Sequence, residues 1–253
     1  MKIPTLKIGF SGLLFFTLST FSLASPRNKK LPPNLIYIMA DDLGYGDLGC
    51  FGQTTIKTPN LDKMARGGLR FTSYYAGNTV CRPSRLSLWT GKHMGHTPIS
   101  SNTNYHFKPA DITVAELLKS RGYATGGVGK WAMGGMGTTG HPNKNGFDFW
   151  FGYLDQGQAH NYYPTHLWKN TEKVILKGNV LTGSTKDRGR VSKKRITYSH
   201  DLLTTQAMEF IRNHKNMPFL LHVHWTMPHA NNEGGRATGD GMEVSDYGIY
   251  TKG

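Results

Sequence analysis

Hydrophobic and polar positions along this chain switch repeatedly between two periods. Asn34 to Ala40 (NLIYIMA) is an unbroken apolar run, the pattern of a strand buried on both faces in a mostly parallel sheet. It runs into Asp41-Asp42 and the glycine-rich Leu43-Gly44-Tyr45-Gly46-Asp47. Thr58-Pro59-Asn60 predicts a short helix with Thr58 as cap and Pro59 in the first turn. Leu61, Met64 and Ala65 make its apolar face, and Gly67-Gly68 stops it. Leu69 to Tyr75 reads as a further strand. Pro83 suits the first turn of a helix that runs through Leu88 and ends at Gly91. Thr113 and Glu116 form a capping-box pair, opening a helix whose Val114, Leu117 and Leu118 share one face. Gly122 closes that helix, and Tyr123 to Val128 is the next strand. Asp201 to Asn213 carries Leu203, Ala207 and Phe210 at helical spacing, and Met217 to Thr226 is a buried strand leading to Pro228-His229. Strand and helix alternate, and functional-looking residues gather at strand ends, where α/β sheets bind ligands. The predicted fold is an α/β/α sandwich around a mostly parallel sheet.

Composition and the N-terminus change this picture further. With 253 residues, 38% of them hydrophobic, the chain can bury a substantial core. Its beginning stands apart from that core: Lys2 and Lys7 precede the mostly apolar Phe10 to Leu23, and Ser22-Leu23-Ala24 resembles a cleavage site. A cleaved signal peptide over residues 1–24 is expected, placing the mature protein in the periplasm or outside the cell with no stable membrane anchor. Formal net charge is +14; without Lys2 and Lys7, 28 basic residues stand against 16 acidic ones. Much of the excess lies between Lys169 and Arg195 among Gly, Ser and Thr, as in a solvated loop or edge hairpin. No aromatic residues interleave there as single-stranded nucleic acid requires, so an anionic polysaccharide is the better partner and nucleic acid is not expected. The two cysteines, Cys50 and Cys81, would by default form one disulfide in an exported protein.

Two local patterns carry chemistry. Asp41-Asp42 past the end of a hydrophobic strand offers hard oxygen ligands suited to Ca²⁺ or Mg²⁺, or else caps a turn. Cys81-Arg82-Pro83-Ser84-Arg85, followed by Leu86-Ser87-Leu88-Trp89-Thr90-Gly91, is far more specific. This block resembles the signature of the type I, formylglycine-dependent sulfatases (the arylsulfatase family) of the alkaline-phosphatase-like superfamily. The resemblance implies that Cys81 is oxidised by a formylglycine-generating enzyme to become the catalytic nucleophile, with Arg85 as its partner. It also implies that Asp41, Asp42 and the modified Cys81 belong to a calcium site. Gly129-Lys130-Trp131 matches a family block in which Lys130 would bind the sulfate oxygens, and Met227-Pro228-His229 one in which His229 would donate a proton to the leaving alcohol. Gly44 to Gly49 and Thr58 to Asp62 are similar to family segments too. A nucleophile at a helix N-terminus faces unpaired N–H groups, a natural seat for sulfate.

The chain departs from the family pattern at Ala132, where a histidine is usual. His160 is a candidate substitute that would bind substrate beside Lys130 and His229, and His141 a weaker one. His222 and His224 are expected to face packing neighbours, and Cys50 to be a lone thiol in the core. By the same resemblance, residues 25–253 form the N-terminal part of a catalytic domain, incomplete at its C-terminus. A later Asp-Asn pair and a later lysine of the family lie beyond it. The expected activity is hydrolysis of an aryl sulfate or a sulfated carbohydrate. The alternatives are an inactive sulfatase fragment, a sulfated-glycan-binding protein, or a phosphatase or phosphodiesterase of the same superfamily. The last would carry Thr or Ser in place of Cys81 and use two zinc ions.

Overall fold

A computed structural model describes residues 31–182, 191–237 and 241–250. The expected signal peptide at 1–24 and positions 183–190 of the basic stretch lie outside the described residues. The strands are β1 (Leu35–Asp41), β2 (Ala124–Lys130), β3 (Phe149–Tyr153), β4 (His166–Lys169), β5 (Glu172–Ile175), β6 (Val180–Thr182), β7 (Val191–Lys194) and β8 (Phe219–Pro228). The helices are α1 (Pro59–Gly67), α2 (Cys81–Thr90), α3 (Val114–Lys119), α4 (Ser199–His214) and α5 (Asn232–Ala237). Six strands form one sheet in the order β1-β8-β2-β3-β4-β5, the first four parallel and the last two an antiparallel extension. β6 and β7 form a separate antiparallel pair.

Side chains of β8 alternate between two cores, as the period of a strand requires. Phe219, Leu221 and Val223 join Leu203, Ala207 and Phe210 of α4 on one face. Leu220 joins Leu86 and Trp89 of α2, Ala115 of α3, and Trp131, Phe147 and Trp150 on the other. The mixed, mostly parallel sheet with helices on both faces is the architecture the sequence predicts. β2 reads Ala-Thr-Gly-Gly-Val-Gly-Lys because large rings lie directly on its backbone: a Cβ on Gly127 would sit 2.4 Å from Trp150.

Several expectations need correction. Leu69 to Tyr75 forms no strand, and Leu69, Phe71, Tyr74 and Tyr75 are 81%, 63%, 68% and 83% exposed. Their β-favouring side chains find no strand to pair with among the described residues, and propensity without a ladder does not hold a strand. β1 is not buried on both faces: it is an edge strand, with Leu35, Ile36 and Ile38 exposed. Leu61 and Met64 of α1 are exposed as well. Thr58 makes no cap bond; its Oγ1 accepts from the Gly49 amide at 2.8 Å and donates to Asp62 at 3.0 Å, tying the preceding loop to α1. In α3 the capping box forms, but Ala115 rather than Leu117 points inward. Both cysteines are free, and Cys50 is half-buried beside Arg70 instead of lying in the core.

Candidate active site

Three neighbouring parallel strands deliver their last residues to one place. β1 ends at Asp41, β2 at Lys130 and β8 at Pro228, just before His229. A register shift between Ala40 and Asp41 sets Asp41 opposite Pro228, which brings it beside His229. Gly129 has φ 98°, and a Cβ there would lie 1.9 Å from the His224 carbonyl oxygen. No other residue permits this approach of β2 to β8, which sets the position of Lys130. α2 begins at Cys81 after extended Val80, with no side-chain cap, and ends where Gly91 turns left-handed at φ 65°. Cys81 therefore stands at the amide-rich end of a helix.

The centre is a buried cluster of opposite charges. Asp41 Oδ2 lies 2.6 Å from Lys130 Nζ and 3.3 Å from Arg85 Nη2, with the lysine side chain 0% and the arginine 1% exposed. Burial opposes ionisation of Asp41, yet Arg85 and Lys130 outweigh it and hold the carboxyl down to about 2. Burial also lowers the Arg85 pKa, against the pull of Asp41. Removal of the Asp41 carboxylate would leave two buried cations without their partner, the costly case.

Around this cluster the sulfur of Cys81, a carboxylate oxygen of Asp41 and a ring nitrogen of His229 lie within 4.8 Å of one another. Burial raises the Cys81 pKa, but His229 and Lys130 outweigh it and the net shift is downward. The same contact with Cys81 raises His229, against burial. His229 Nδ1 is 2.6 Å from the Ala230 carbonyl and donates to it, so Nε2 is the atom turned to the site, 3.5 Å from Asp42 Oδ2. Asp42 sits in left-handed backbone at φ 63°. The His160 ring stacks on His229 with centroids 4.4 Å apart, and its Nδ1 is 3.5 Å from Glu233 Oε2. Burial, then Lys130 and His229, push His160 down to about 3, so its ring is neutral. Neither of its nitrogens has a hydrogen-bond partner among the described residues. A cavity of about 730 Å³ opens beside the cluster, lined by Asp41, Asp42, Asn78, Cys81, Ser84 and Arg85 among others.

Asp41, Asp42, Cys81, Arg85, Lys130, His160 and His229 thus come together. His141 does not join them: it caps the Pro142–Lys144 turn, its Nδ1 accepting from the Asn143 amide at 3.3 Å. Ala132 is buried with φ 69°, and its carbonyl accepts from Arg82 Nε at 3.1 Å. His222 and His224 do pack against Trp89, as expected, but His224 also touches Arg85. That contact and Glu233 are absent from the sequence reading. The alternation Leu220, His222, His224 toward the α2 face was the available signal for the first; nothing in the sequence pointed to the second.

Two adjacent carboxylates suit a hard cation, and Asp41 with Asp42 would hold one. The thiol of Cys81 is soft and fits such an ion poorly unless oxygen replaces sulfur. Hard cations of calcium's size take six to eight oxygens, so these residues supply part of a shell.

Comparison with known proteins agrees with this geometry. The Sulfatase family model matches residues 33–242. Human arylsulfatase A is 45% identical over 140 residues, covering 51% of this chain and 27% of its own. The N-acetylglucosamine-6-O-sulfatase of Bacteroides thetaiotaomicron is 31% identical over 216 residues, covering 85% of this chain and 34% of its own. The crystal structure of Ps i-CgsB in complex with k-i-k-neocarrahexaose superposes with a TM-score of 0.65 at 31% identity, covering 78% of this chain and 45% of that one. This chain belongs to the sulfatase family. It spans between a quarter and about a third of the length of these curated relatives, 27% and 34%.

Proposed function

We propose that this chain is part of an exported sulfatase that hydrolyses a sulfate ester, releasing sulfate and an alcohol, and that residues 25–253 belong to its catalytic domain. The observation that carries the reading is the convergence of Cys81, Arg85, Lys130 and His229 on Asp41 at the ends of three parallel strands. Lys130 and Arg85 bring two positive charges where sulfate oxygens would sit, and burial keeps water from screening them. The α2 N-terminus adds its amides. His229, with Nδ1 held by Ala230, turns Nε2 toward Cys81 and Asp42, where it would carry a proton to the leaving alcohol. His160 stacks behind it as a neutral ring and offers a hydrogen bond to substrate in the absence of an imidazole at Ala132. Asp41 and Asp42 would hold Ca²⁺ together with the modified residue 81. Formylglycine at that position supplies the nucleophile, and calcium supplies positive charge to stabilise its ionised oxygen.

A sulfated carbohydrate is the favoured substrate class. A relative named as an N-acetylglucosamine-6-O-sulfatase and a neighbour solved with k-i-k-neocarrahexaose support it, as does the chain's net charge of +14. An aryl sulfate is the convenient test compound. Export rests on the sequence pattern of residues 1–24; among the described residues no helix is long and apolar enough to cross a membrane.

The test is sulfate release from an aryl sulfate and from N-acetylglucosamine 6-sulfate, by protein co-expressed with a formylglycine-generating enzyme and supplied with calcium. Turnover that falls by about 10³-fold or more in Cys81→Ala supports the reading. Equal turnover by Cys81→Ala would overturn it. Sulfated-sugar binding without any turnover would instead favour the glycan-binding alternative.

A further inference from the structure

Arg85 is a buried cation whose five N–H donors are unequally used. Its Nη1 donates twice, to the Lys130 carbonyl at 2.7 Å and to His224 Nδ1 at 3.0 Å. Its Nε and Nη2 are buried and make no aligned hydrogen bond, although Nη2 lies 3.3 Å from Asp41 Oδ2. Nε and Nη2 form the side-on pair with which a guanidinium grips an oxyanion.

The contact with His224 dictates a chain of proton positions. A guanidinium has no acceptor, so His224 Nδ1 must present a lone pair, and its hydrogen sits on Nε2. That Nε2 is 3.1 Å from His222 Nδ1, which must therefore accept, leaving the His222 hydrogen on its own Nε2. Both rings are buried, and burial lowers both pKa values, His222 to about 3, in keeping with two neutral imidazoles. The rings are also clamped. Trp89 stacks on His224 with centroids 4.5 Å apart at 19°, and Tyr37 lies 5.2 Å from His222. Trp89 follows Arg85 by one helical turn, so α2 supplies both the arginine and the ring that fixes its partner.

We propose that His224, oriented by His222 and Trp89, is a positioning residue for Arg85: it occupies Nη1 and thereby reserves the Nε–Nη2 edge for an anionic ligand beside Cys81 and Asp41. Its catalytic consequence rests on the sulfatase reading above; the proton positions and the ordering of Arg85 do not. A hydroxyl or amide acceptor would fix Nη1 equally well, whereas an aliphatic side chain would leave that donor buried and unpaired.

The test begins with ¹⁵N-histidine NMR of the unaltered full chain at neutral pH, using His224→Asn and His222→Asn for assignment. Both rings are expected as neutral Nε2–H tautomers. A charged ring, or hydrogen on Nδ1 of His224, would overturn the proposal. Arg85 side-chain N–H signals then report order: they should persist in His224→Asn and broaden or exchange at least tenfold faster in His224→Leu. Persistence in the leucine variant refutes the positioning role. In matured enzyme with an aryl sulfate, kcat should fall about 10²-fold in His224→Leu and recover in His224→Asn. Correct tautomers with an ordered Arg85 but no sulfatase turnover in any form would leave the relay standing and remove the proposed function.

Discussion

Two flanks of the same sheet treat polarity in opposite ways. Where β8 and β2 meet α2, charged groups are sealed from water: Asp41, Arg85 and Lys130 are buried, with His224 behind them. On the flank formed by β1, α1 and residues 69–75, the large apolar side chains face outward, among them Ile36, Ile38, Met64, Phe71 and Tyr75. Folding normally arranges these the other way round. The site flank tolerates its buried charges because each has a partner within the cluster and because strand ends fix their spacing. The other flank has no such internal closure among the described residues. Asp41 belongs to both, being the last residue of the edge strand and the carboxylate paired with both cations.

That contrast can be broken by substitution. Asp41→Asn should cost the most stability, roughly 3–5 kcal/mol, by leaving the Arg85 and Lys130 cations buried together without their carboxylate. Trp89→Ala should cost a comparable amount, about 3–5 kcal/mol, because it opens a cavity under His222 and His224. Chemical denaturation measures both, and losses under about 1 kcal/mol would show the site to be less tightly packed than its geometry indicates.

Acid should reach the core next. Burial holds His200 down to about 4 and His222 down to about 3, below the value near 6.5 of an unfolded chain. A depressed folded pKa means the unfolded state binds protons first. The neutral rings therefore contribute full stability above about pH 6.5 and lose it as pH falls toward 4 and 3, by at most roughly 1.4 kcal/mol per pH unit for each ring. His200→Gln, which can still meet the Thr226 hydroxyl now 2.9 Å from Nε2, should flatten that slope in urea titrations between pH 6.5 and 4.5. An unchanged slope would exclude His200 as a source.

The smallest effects belong to the apolar flank. Ile38→Ser and Phe71→Ser should shift unfolding by about 0.5 kcal/mol or less, since neither side chain is enclosed. The same changes should reduce binding of a hydrophobic dye to the native protein, which a contiguous exposed patch would support. A large destabilisation would mean that this flank is packed in solution.

How much of this could be read from the residues differs between the flanks for a physical reason. α4, the α3 capping box and β8 follow from periodicity and local hydrogen bonding, so Leu203, Ala207 and Phe210 could be assigned inward without a structure. Cys81 to Gly91 was legible because its motif is specific, Lys130 and His229 because of the family blocks they resemble, and Asp41 because it follows an apolar run. Residues 34–40 and 69–75 misled because an apolar run reports a preference for burial, while burial itself depends on what lies across the sheet. The Arg85–His224–His222 chain was hidden for a related reason. It needs the helix–strand register, and the two segments are separated by more than a hundred residues, Arg85 to His224 being 139 apart.

Peptide mass spectrometry of residue 81 is the most direct test of Cys81 as the nucleophile precursor. The protein, co-expressed with a formylglycine-generating enzyme, should yield a peptide in which Cys81 has lost its sulfur and carries an aldehyde that hydrazine reagents trap. Cys81 recovered intact as a thiol after such co-expression, with Cys50 equally unmodified, would contradict the assignment of this site as a sulfatase nucleophile.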